Sequence, residues 1–432
     1  MGYSVKNFIG AIGNDVSAPP RLCGEFEFLL HLAAQCLTMQ HRAPTTEGQV
    51  DMKRNLNRRE FVQGVSAAAA GFCLAPSGLW AKAAPAAPVA VAKCATYGPE
   101  VVTTLAGMFD HLGGLHRLVN GKTVSVKLNL TGSSQDRLGD LPQGQTYWVH
   151  PQVVGALVHL LGNAGARRIR VLESSAGAGS LGEFLSQAGW KTTDLTSAVS
   201  GVELVNTNYP GAGQKYSRLW VPGGGLMFKG YDVNPAYEEC DVFVSLAKLK
   251  EHSTAGVTLS MKNCFGLPPV TIYGMDAGID EPAKVPGGPR GMLHAGDRQP
   301  SKSAPSEIEP RSPRDPGYRV PRVTVDVVAA RPIHLAVIDG IETVAGGEGP
   351  WMKLRPVHAG LLIAGTNCVN TDAVATALMG LDPMADRGAA PFEKCDSTLK
   401  LAEQLGIGTR DLSRIEVRGL PIEKGRVYFR RA

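Results

Sequence analysis

This 432-residue sequence has no C-x-x-C pair among its eight cysteines. Only 6% of its residues are aromatic, and it has no large excess of positive or negative charge. The first absence argues against zinc ribbons, thioredoxin motifs and ferredoxin-type iron–sulfur clusters. A net charge of +5 without a basic stripe argues against a nucleic-acid partner. The hydrophobic share of 44% and the charged share of 19% exclude a wholly disordered chain and a multi-span membrane protein.

Residues 52–83 have the pattern of an export signal. Arg58 and Arg59 precede an apolar stretch rich in Ala and Gly, and Ala81-Lys82-Ala83 fits an A-x-A cleavage site. Paired arginines predict the twin-arginine export machinery as a partner and a periplasmic or cell-envelope location. The stretch is too short and too rich in Gly and Ala for a permanent membrane anchor. The alternative is an Ala-rich amphipathic helix behind a chance Arg-Arg pair.

Outside this signal we distinguish three parts of the chain. Residues 1–51 show no periodicity and Met52 is a natural start, so we interpret them as an over-extended reading of the gene. We assign 84–121 to a linker and a first helix, and 122–420 to a single domain. Within that domain, residues 275–321 are dense in Pro, Gly and charge, which predicts a long surface insertion.

The domain shows alternating strand and helix patterns, typical of an α/β fold with a mixed or mostly parallel sheet flanked by helices. Hydrophobic periodicity predicts strands at 123–130, 168–173, 202–205, 219–222, 241–246, 334–338, 360–364 and 415–417. Helices are predicted at 151–161, 180–188, 323–330, 370–379 and 397–405.

Polar residues gather where these strands end, and loops at strand ends converge in α/β folds. The ligand-binding candidates supply positive charge or amide groups for an anionic small molecule: Lys127, Asn129, Lys248, Lys250 and Asn263. The catalytic candidates can transfer protons: His252, Lys262 and Glu348. The alternative is that the lysines are solvated and His252 only caps a helix.

Three carboxylates, Glu173, Asp339 and Asp372, could hold a divalent metal. The competing interpretations are a turn for Asp339-Gly340 and a helix-start role for Asp372. The pattern Gly177-x-Gly179-x-x-Gly182 fits a dinucleotide loop, which leaves a nucleotide-dependent oxidoreductase as a further alternative. The cofactor is left open, and an iron–sulfur cluster is disfavoured.

Several segments together resemble the domain-of-unknown-function 362 family. They are KLNL at Lys127, CDVFVSLAKLKEHSTAGVTLSMKNCFG from Cys240, AVIDGIETVAGGEGP from Ala336 and GTNCVNTDAVATALMGLDP from Gly365. The resemblance implies the fold and the location of the site; the iron–sulfur module of some members is not implied, since its cysteine spacing is lacking. We therefore expect an exported enzyme or cofactor-dependent protein that acts on an anionic small molecule. The alternative is a non-catalytic periplasmic protein that binds an anion or a metal.

Overall fold

The computed structural model describes residues 83–430. The predicted extension, 1–51, and the predicted signal peptide up to residue 82 lie outside the described residues. No helix in the described part is both long and apolar enough to cross a bilayer.

Twelve strands occur within residues 83–430. They are Val89–Lys93 (β1), Thr123–Lys127 (β2), Arg168–Glu173 (β3), Val202–Asn206 (β4), Ser217–Trp220 (β5), Gly230–Val233 (β6), Val242–Lys248 (β7), Glu251–His252 (β8), Gly256–Val257 (β9), Leu335–Ala345 (β10), Arg355–Gly365 (β11) and Val417–Gly419 (β12).

The helices of the same region range from one turn to four. They are Glu100–His111 (α1), His116–Val119 (α2), Pro151–Asn163 (α3), Leu181–Gln187 (α4), Thr192–Thr196 (α5), Pro235–Glu238 (α6), Leu259–Asn263 (α7), Val270–Tyr273 (α8), Gly291–His294 (α9), Pro316–Ala330 (α10), Cys368–Leu378 (α11), Thr398–Gln404 (α12) and Ile422–Gly425 (α13).

Eight strands form one central sheet in the order β12-β1-β11-β10-β7-β2-β3-β4. Every neighbouring pair is parallel except the two that involve β11, so seven strands run in one direction and β11 in the other. The prediction of an α/β fold with a mostly parallel sheet is confirmed. The pairs β5–β6 and β8–β9 form separate two-stranded sheets.

Helices cover both faces of the central sheet, because alternate strand residues point to opposite faces. Val124 and Val126 of β2 pack into a core cluster with α1, α3 and α4. Phe243 of β7 points the other way, into a cluster that contains residues of α7 and α10. Ser125 and Ser245 face this second side as well, because their hydroxyls bond to carbonyls of α6 and α7.

The hairpin of β10 and β11 is much longer than the predicted strands at 334–338 and 360–364. Each strand has 11 residues, and their pairing continues past a bulge between Gly340 and Glu342. The interpretation of Asp339-Gly340 as a turn is therefore wrong. Asp339 is fully buried inside β10, where Lys248 neutralises it, and this ion pair lets an acidic residue continue a strand.

The first strand lies within residues 84–121, the segment assigned to a linker and a first helix. Its five residues pair with β11 on one side and β12 on the other, so this segment belongs to the sheet. The run Val89-Ala90-Val91-Ala92 has no polar residue to mark a strand period, and its neighbours in the Ala/Pro-rich stretch conceal it.

Helix α10 begins at Pro316, whereas the sequence predicts a helix from 323 and an insertion up to 321. Asp315 caps its start by accepting the Gly317 N–H, and Pro316 occupies the first turn. Pro321 cannot donate to the Gly317 carbonyl, but the Asp396 N–H bonds to that carbonyl instead at 2.9 Å. The helix therefore passes through Pro321 without a missing hydrogen bond at Gly317.

Candidate functional site

The site lies where the order of the parallel strands reverses. From β2, the sheet continues through β3 and β4 on one side and through β7 and β10 on the other. Loops leave the carboxyl ends of β2 and β7 in opposite directions, which opens a crevice between them. A cavity of about 770 Å³ occupies this position, with Lys127 and Glu173, the last residues of β2 and β3, in its wall.

Lys127 and Glu173 form a buried ion pair at the base of the cavity. The Nζ–Oε1 distance is 2.7 Å, and the side chains are 2% and 5% exposed. Glu173 also accepts the N–H groups of Leu130 and Ser174, while Lys127 donates to the Leu128 carbonyl. Gly266 packs against the pair, and a Cβ there would lie 3.0 Å from Lys127 Nζ. These hydrogen bonds fix the ion pair, and the missing side chain at Gly266 leaves it open to the cavity.

The short helix α7 carries Lys262 and Asn263 into the same wall. Asn263 binds it to the sheet, since its amide donates to Ser245 Oγ at 3.0 Å and its Oδ1 lies 3.4 Å from Lys127 Nζ. Lys262 Nζ lies 4.2 Å from the centre of the Phe265 ring. No hydrogen bond or ion pair of this amine occurs within residues 83–430. Burial lowers the pKa of Lys262 to about 7, with Arg290 and Lys127 acting in the same direction and Glu348 against it.

Arg290 and His294, both from the predicted insertion, complete the positive side of the cavity. Arg290 donates to the carbonyls of Pro268 and Gly266 and to Ser174 Oγ, and it has no carboxylate partner in the described chain. His294 Nδ1 lies 2.9 Å from the Arg290 carbonyl. Burial, followed by the charge of Lys262, lowers the pKa of His294 to about 4. His294 is therefore neutral at pH 7.

His252 and Glu348 also line the cavity. Glu348 accepts from the Ser253 N–H at 2.9 Å, from Ser253 Oγ and from the Trp351 indole at 3.0 Å. Burial opposes its ionisation, but these hydrogen bonds lower the pKa of Glu348 overall. Burial and the nearby Lys262 lower the pKa of His252 well below its usual range. His252 Nδ1 accepts the Thr254 N–H at 3.2 Å, which leaves Nε2 with the ring proton.

Two buried side-chain oxygens of the cavity wall have no hydrogen-bond partner within residues 83–430. They are Oδ1 of Asn129 and Oγ of Ser175, in residues that are 7% and 1% exposed. Since buried polar groups in proteins are nearly always hydrogen-bonded, a ligand in the cavity is the natural partner for both. Asn129 is thereby placed among the residues able to contact a ligand.

The structure brings Lys127, Asn129, Glu173, His252, Lys262, Asn263 and Glu348 to one cavity. Lys248 and Lys250 do not line it. Lys248 Nζ lies 2.9 Å from Asp339, the Tyr97 hydroxyl and the Gly144 carbonyl. Lys250 Nζ bonds to Thr131 Oγ1 and to the carbonyls of Tyr147 and Glu348. Both amines connect loops of the site to the sheet.

Asp339 and Asp372 also lie outside the cavity lining. Asp339 pairs with Lys248, and Asp372, inside α11, accepts from the N–H and hydroxyl of Ser260 and the N–H of Met261. Glu173 bonds to Lys127 and two amides. Across residues 83–430, no group of three or more His, Cys, Asp or Glu is arranged to hold a metal.

The glycine-rich loop at Gly177 reaches the cavity, but the helix behind it is occupied at its start. Ser180 and Glu183 form a capping box, in which each side chain accepts the other's backbone N–H. These are amides that a pyrophosphate would need at a dinucleotide loop.

The sequence did not indicate Arg290, His294 or Trp351. Arg290 and His294 follow no strand and lie in a Pro/Gly-rich stretch more than 110 residues after Glu173, so nothing local marks them. The run Gly-Gly-Pro-Arg-Gly at residues 287–291 offered only a turn signal.

No curated protein and no solved structure matches the chain. The family described as "Domain of unknown function (DUF362)" matches residues 124–377, a stretch that covers more than half of the chain and every cavity residue named above. The chain belongs to this DUF362 family.

Proposed function

We propose that the protein binds an anionic small molecule in this cavity and transfers a proton to or from it through Lys262. One observation carries the proposal: Lys262 and Arg290, two cationic side chains without a carboxylate partner in the described chain, line the same cavity. Buried charges in proteins are normally paired. An anionic ligand supplies the missing partner.

The charges of the wall support an anion. Lys127, Lys262 and Arg290 face Glu173 and Glu348, and both histidines are neutral at pH 7. The Glu173 carboxylate is already paired with Lys127, and the Glu348 carboxylate already accepts three hydrogen bonds. An ionised Lys262 therefore leaves a surplus of one positive charge.

Proton transfer rests on Lys262. A group whose pKa lies near the working pH is the most effective general acid or base, and burial brings the pKa of Lys262 to about 7. His252 Nε2–H adds a neutral donor on the facing wall. Turnover would make the protein an enzyme; affinity without turnover would make it a binding protein.

Calorimetric titration of the full chain with lactate and with inorganic phosphate tests the binding. A hydrogen bond to a charged group contributes about 1.5–3 kcal/mol, so we expect Arg290→Met to weaken binding by about ten- to a hundredfold. The matched control is Lys302→Met, which removes a cation from an exposed pair far along the insertion and should leave affinity unchanged. Equal affinity of the wild type and Arg290→Met, or no binding of either anion, contradicts the proposal.

We also propose that the protein is exported by the twin-arginine machinery to the periplasm or cell envelope. The support is the pattern of Arg58, Arg59 and the A-x-A site at Ala83. Replacing both arginines with lysine should retain the protein in the cytoplasm, as judged by cell fractionation. Continued export of the double variant would contradict the pathway.

A further inference from the structure

We propose that Lys262 is a nucleophile that forms an imine with a small oxo acid, a carboxylate that also carries a ketone or aldehyde carbonyl. The inference rests on the proposed function, since it names the class of anion and the covalent step at the same site.

The first support is a comparison of the four buried lysines within residues 83–430. Lys127, Lys248 and Lys250 each have three acceptors for their three ammonium protons. Lys262 has none, and only the Phe265 ring lies against its amine. Its nitrogen lone pair is thus the only one of the four that is both free and turned to a cavity.

The second support is the charge around that amine. Six titratable groups lie close enough to interact with its charge: Lys127, Lys250, Arg290, Glu348, His252 and His294. Burial and the two permanent cations outweigh Glu348, and with a pKa of about 7 roughly half of the Lys262 side chains are neutral amines at pH 7. Desolvation next to other cations is a known way to activate a lysine toward carbonyl compounds. An ordinary lysine at the same pH is almost entirely protonated.

The third support is what surrounds the place where a carbonyl compound would lie. Within residues 83–430, Nη1 of Arg290 has no hydrogen bond, so this charged nitrogen can donate to a carboxylate. Asn129 Oδ1 and Ser175 Oγ, both unpartnered, can bond to further polar groups of the ligand. The site therefore offers an anchor for a carboxylate and an amine for a carbonyl.

The step is balanced without a further reactant. The Nζ lone pair attacks the carbonyl carbon, a C–N bond forms, and one of the two amine protons passes to the former carbonyl oxygen, which gives a carbinolamine. The C–O bond then breaks, the second amine proton leaves with that oxygen as water, and a C=N bond remains. No electron enters or leaves the system, so no oxidant or reductant is needed for the step.

Reductive trapping tests the inference on the full chain. The protein is incubated at pH 7 with pyruvate or glyoxylate and sodium cyanoborohydride, and adducts are located by intact mass and peptide mapping. We expect one adduct per chain, on Lys262, that saturates with the oxo acid. Lys262→Arg, which keeps the charge but not the nucleophile, should lose the adduct, whereas Lys302→Arg, at an exposed site, should keep it.

The outcomes distinguish imine formation from the anion binding on which it rests. Lactate has the size and charge of pyruvate but no carbonyl. If lactate binds and pyruvate leaves no adduct on Lys262, imine formation is overturned and anion binding stands. If lactate and phosphate both fail to bind, the proposed function falls. The inference is also overturned if reductive trapping modifies Lys262 no faster than the exposed Lys191, because an equal rate shows an unactivated amine.

Discussion

The buried lysines near one edge of the sheet have different roles, and the number of hydrogen-bond acceptors around each amine distinguishes them. Lys248 and Lys250 leave β7 within two residues of each other, yet both point into loops and are fully bonded. Lys127 is neutralised by Glu173, and Lys262 is left without a partner. Sequence position places all four near a site, but only the count of hydrogen-bond acceptors separates the three bonded amines from that of Lys262.

The Lys127–Glu173 pair should be costly to break from one side. Lys127→Met leaves the Glu173 carboxylate buried without its cation, and such a loss lowers the free energy of unfolding by about 3–5 kcal/mol. Urea denaturation followed by circular dichroism measures the change. In the exposed pair Lys302–Asp280, whose side chains are both 76% exposed, Lys302→Met should alter stability by less than about 1 kcal/mol. Similar effects of the two substitutions would contradict the structural role of the buried pair.

At the scale of residues, the sequence identified seven of the side chains that line the cavity. Lys127, Glu173, His252, Lys262 and Glu348 could be chosen because each follows a strand or directly precedes a recognisable loop. Lys248 was chosen on the same ground, but its side chain points away from the cavity, and strand position alone does not settle the direction of a residue at the end of a strand. Arg290 reaches the site by tertiary folding alone.

At the scale of elements, α7 is held in place by a strained turn and a buried carboxylate. Leu259, its first residue, has a φ of +45°, a left-handed conformation that costs a branched residue about 1–2 kcal/mol. Asp372 stabilises the turn by accepting from the backbone of Ser260 and Met261. The helix that carries Lys262 therefore depends on a residue of α11.

Asp372 gives this arrangement a pH dependence. Burial raises the pKa of Asp372 to about 7 despite its hydrogen bonds, whereas the unfolded chain has a pKa near 3.8. A pKa raised in the folded state contributes stability below the unfolded pKa, and this contribution is lost as pH rises through the folded pKa. The difference in the free energy of unfolding, wild type minus Asp372→Asn, should thus decrease as the pH rises from 4 to 7. Denaturation at several pH values measures it, and a difference independent of pH would contradict the shift.

The central residues of helices and strands were predictable where the hydrophobic periodicity of the sequence was intact. The strand at 168–173 matches β3 residue for residue, and the helix starting at 151 matches α3 at its proline. Boundaries failed where long-range partners intervene: Lys248 permits β10 to continue through Asp339, and Asp396 compensates for Pro321 in α10. These partners lie more than 70 residues away, so no local pattern contains them.

For the whole molecule, the strand β1 is the second strand from the edge of the sheet that lies away from the cavity. It lies between β11 and β12, and the residues just before it are also attached, since the Pro85 carbonyl accepts the Thr409 N–H. Removing β1 would expose the antiparallel edge of β11, which holds Leu361, Leu362 and Ile363. An unpaired apolar strand edge promotes aggregation.

We therefore expect a chain that starts at Ala84 to fold and one that starts at Ala95 to aggregate. Size-exclusion chromatography and a thermal unfolding curve of both variants provide the measurement. The chain from Ala84 keeps all five residues of β1 and serves as the control. A soluble, cooperatively unfolding chain without β1 would show that the sheet does not need this strand.

Trp351 gives the molecule a built-in optical reporter of its cavity. Its ring is 58% exposed, yet it lies in the cavity lining, and its indole N–H is bonded to Glu348. Indole emission responds to nearby charge and to water, and both change when an anion enters next to Glu348. Trp148 and Trp190 are buried in the core, and the exposed Trp220 of β5 is not part of the cavity lining, so the emission of these three forms a background. Occupancy of the cavity can thus be followed by intrinsic fluorescence, without attaching a dye to protein or ligand.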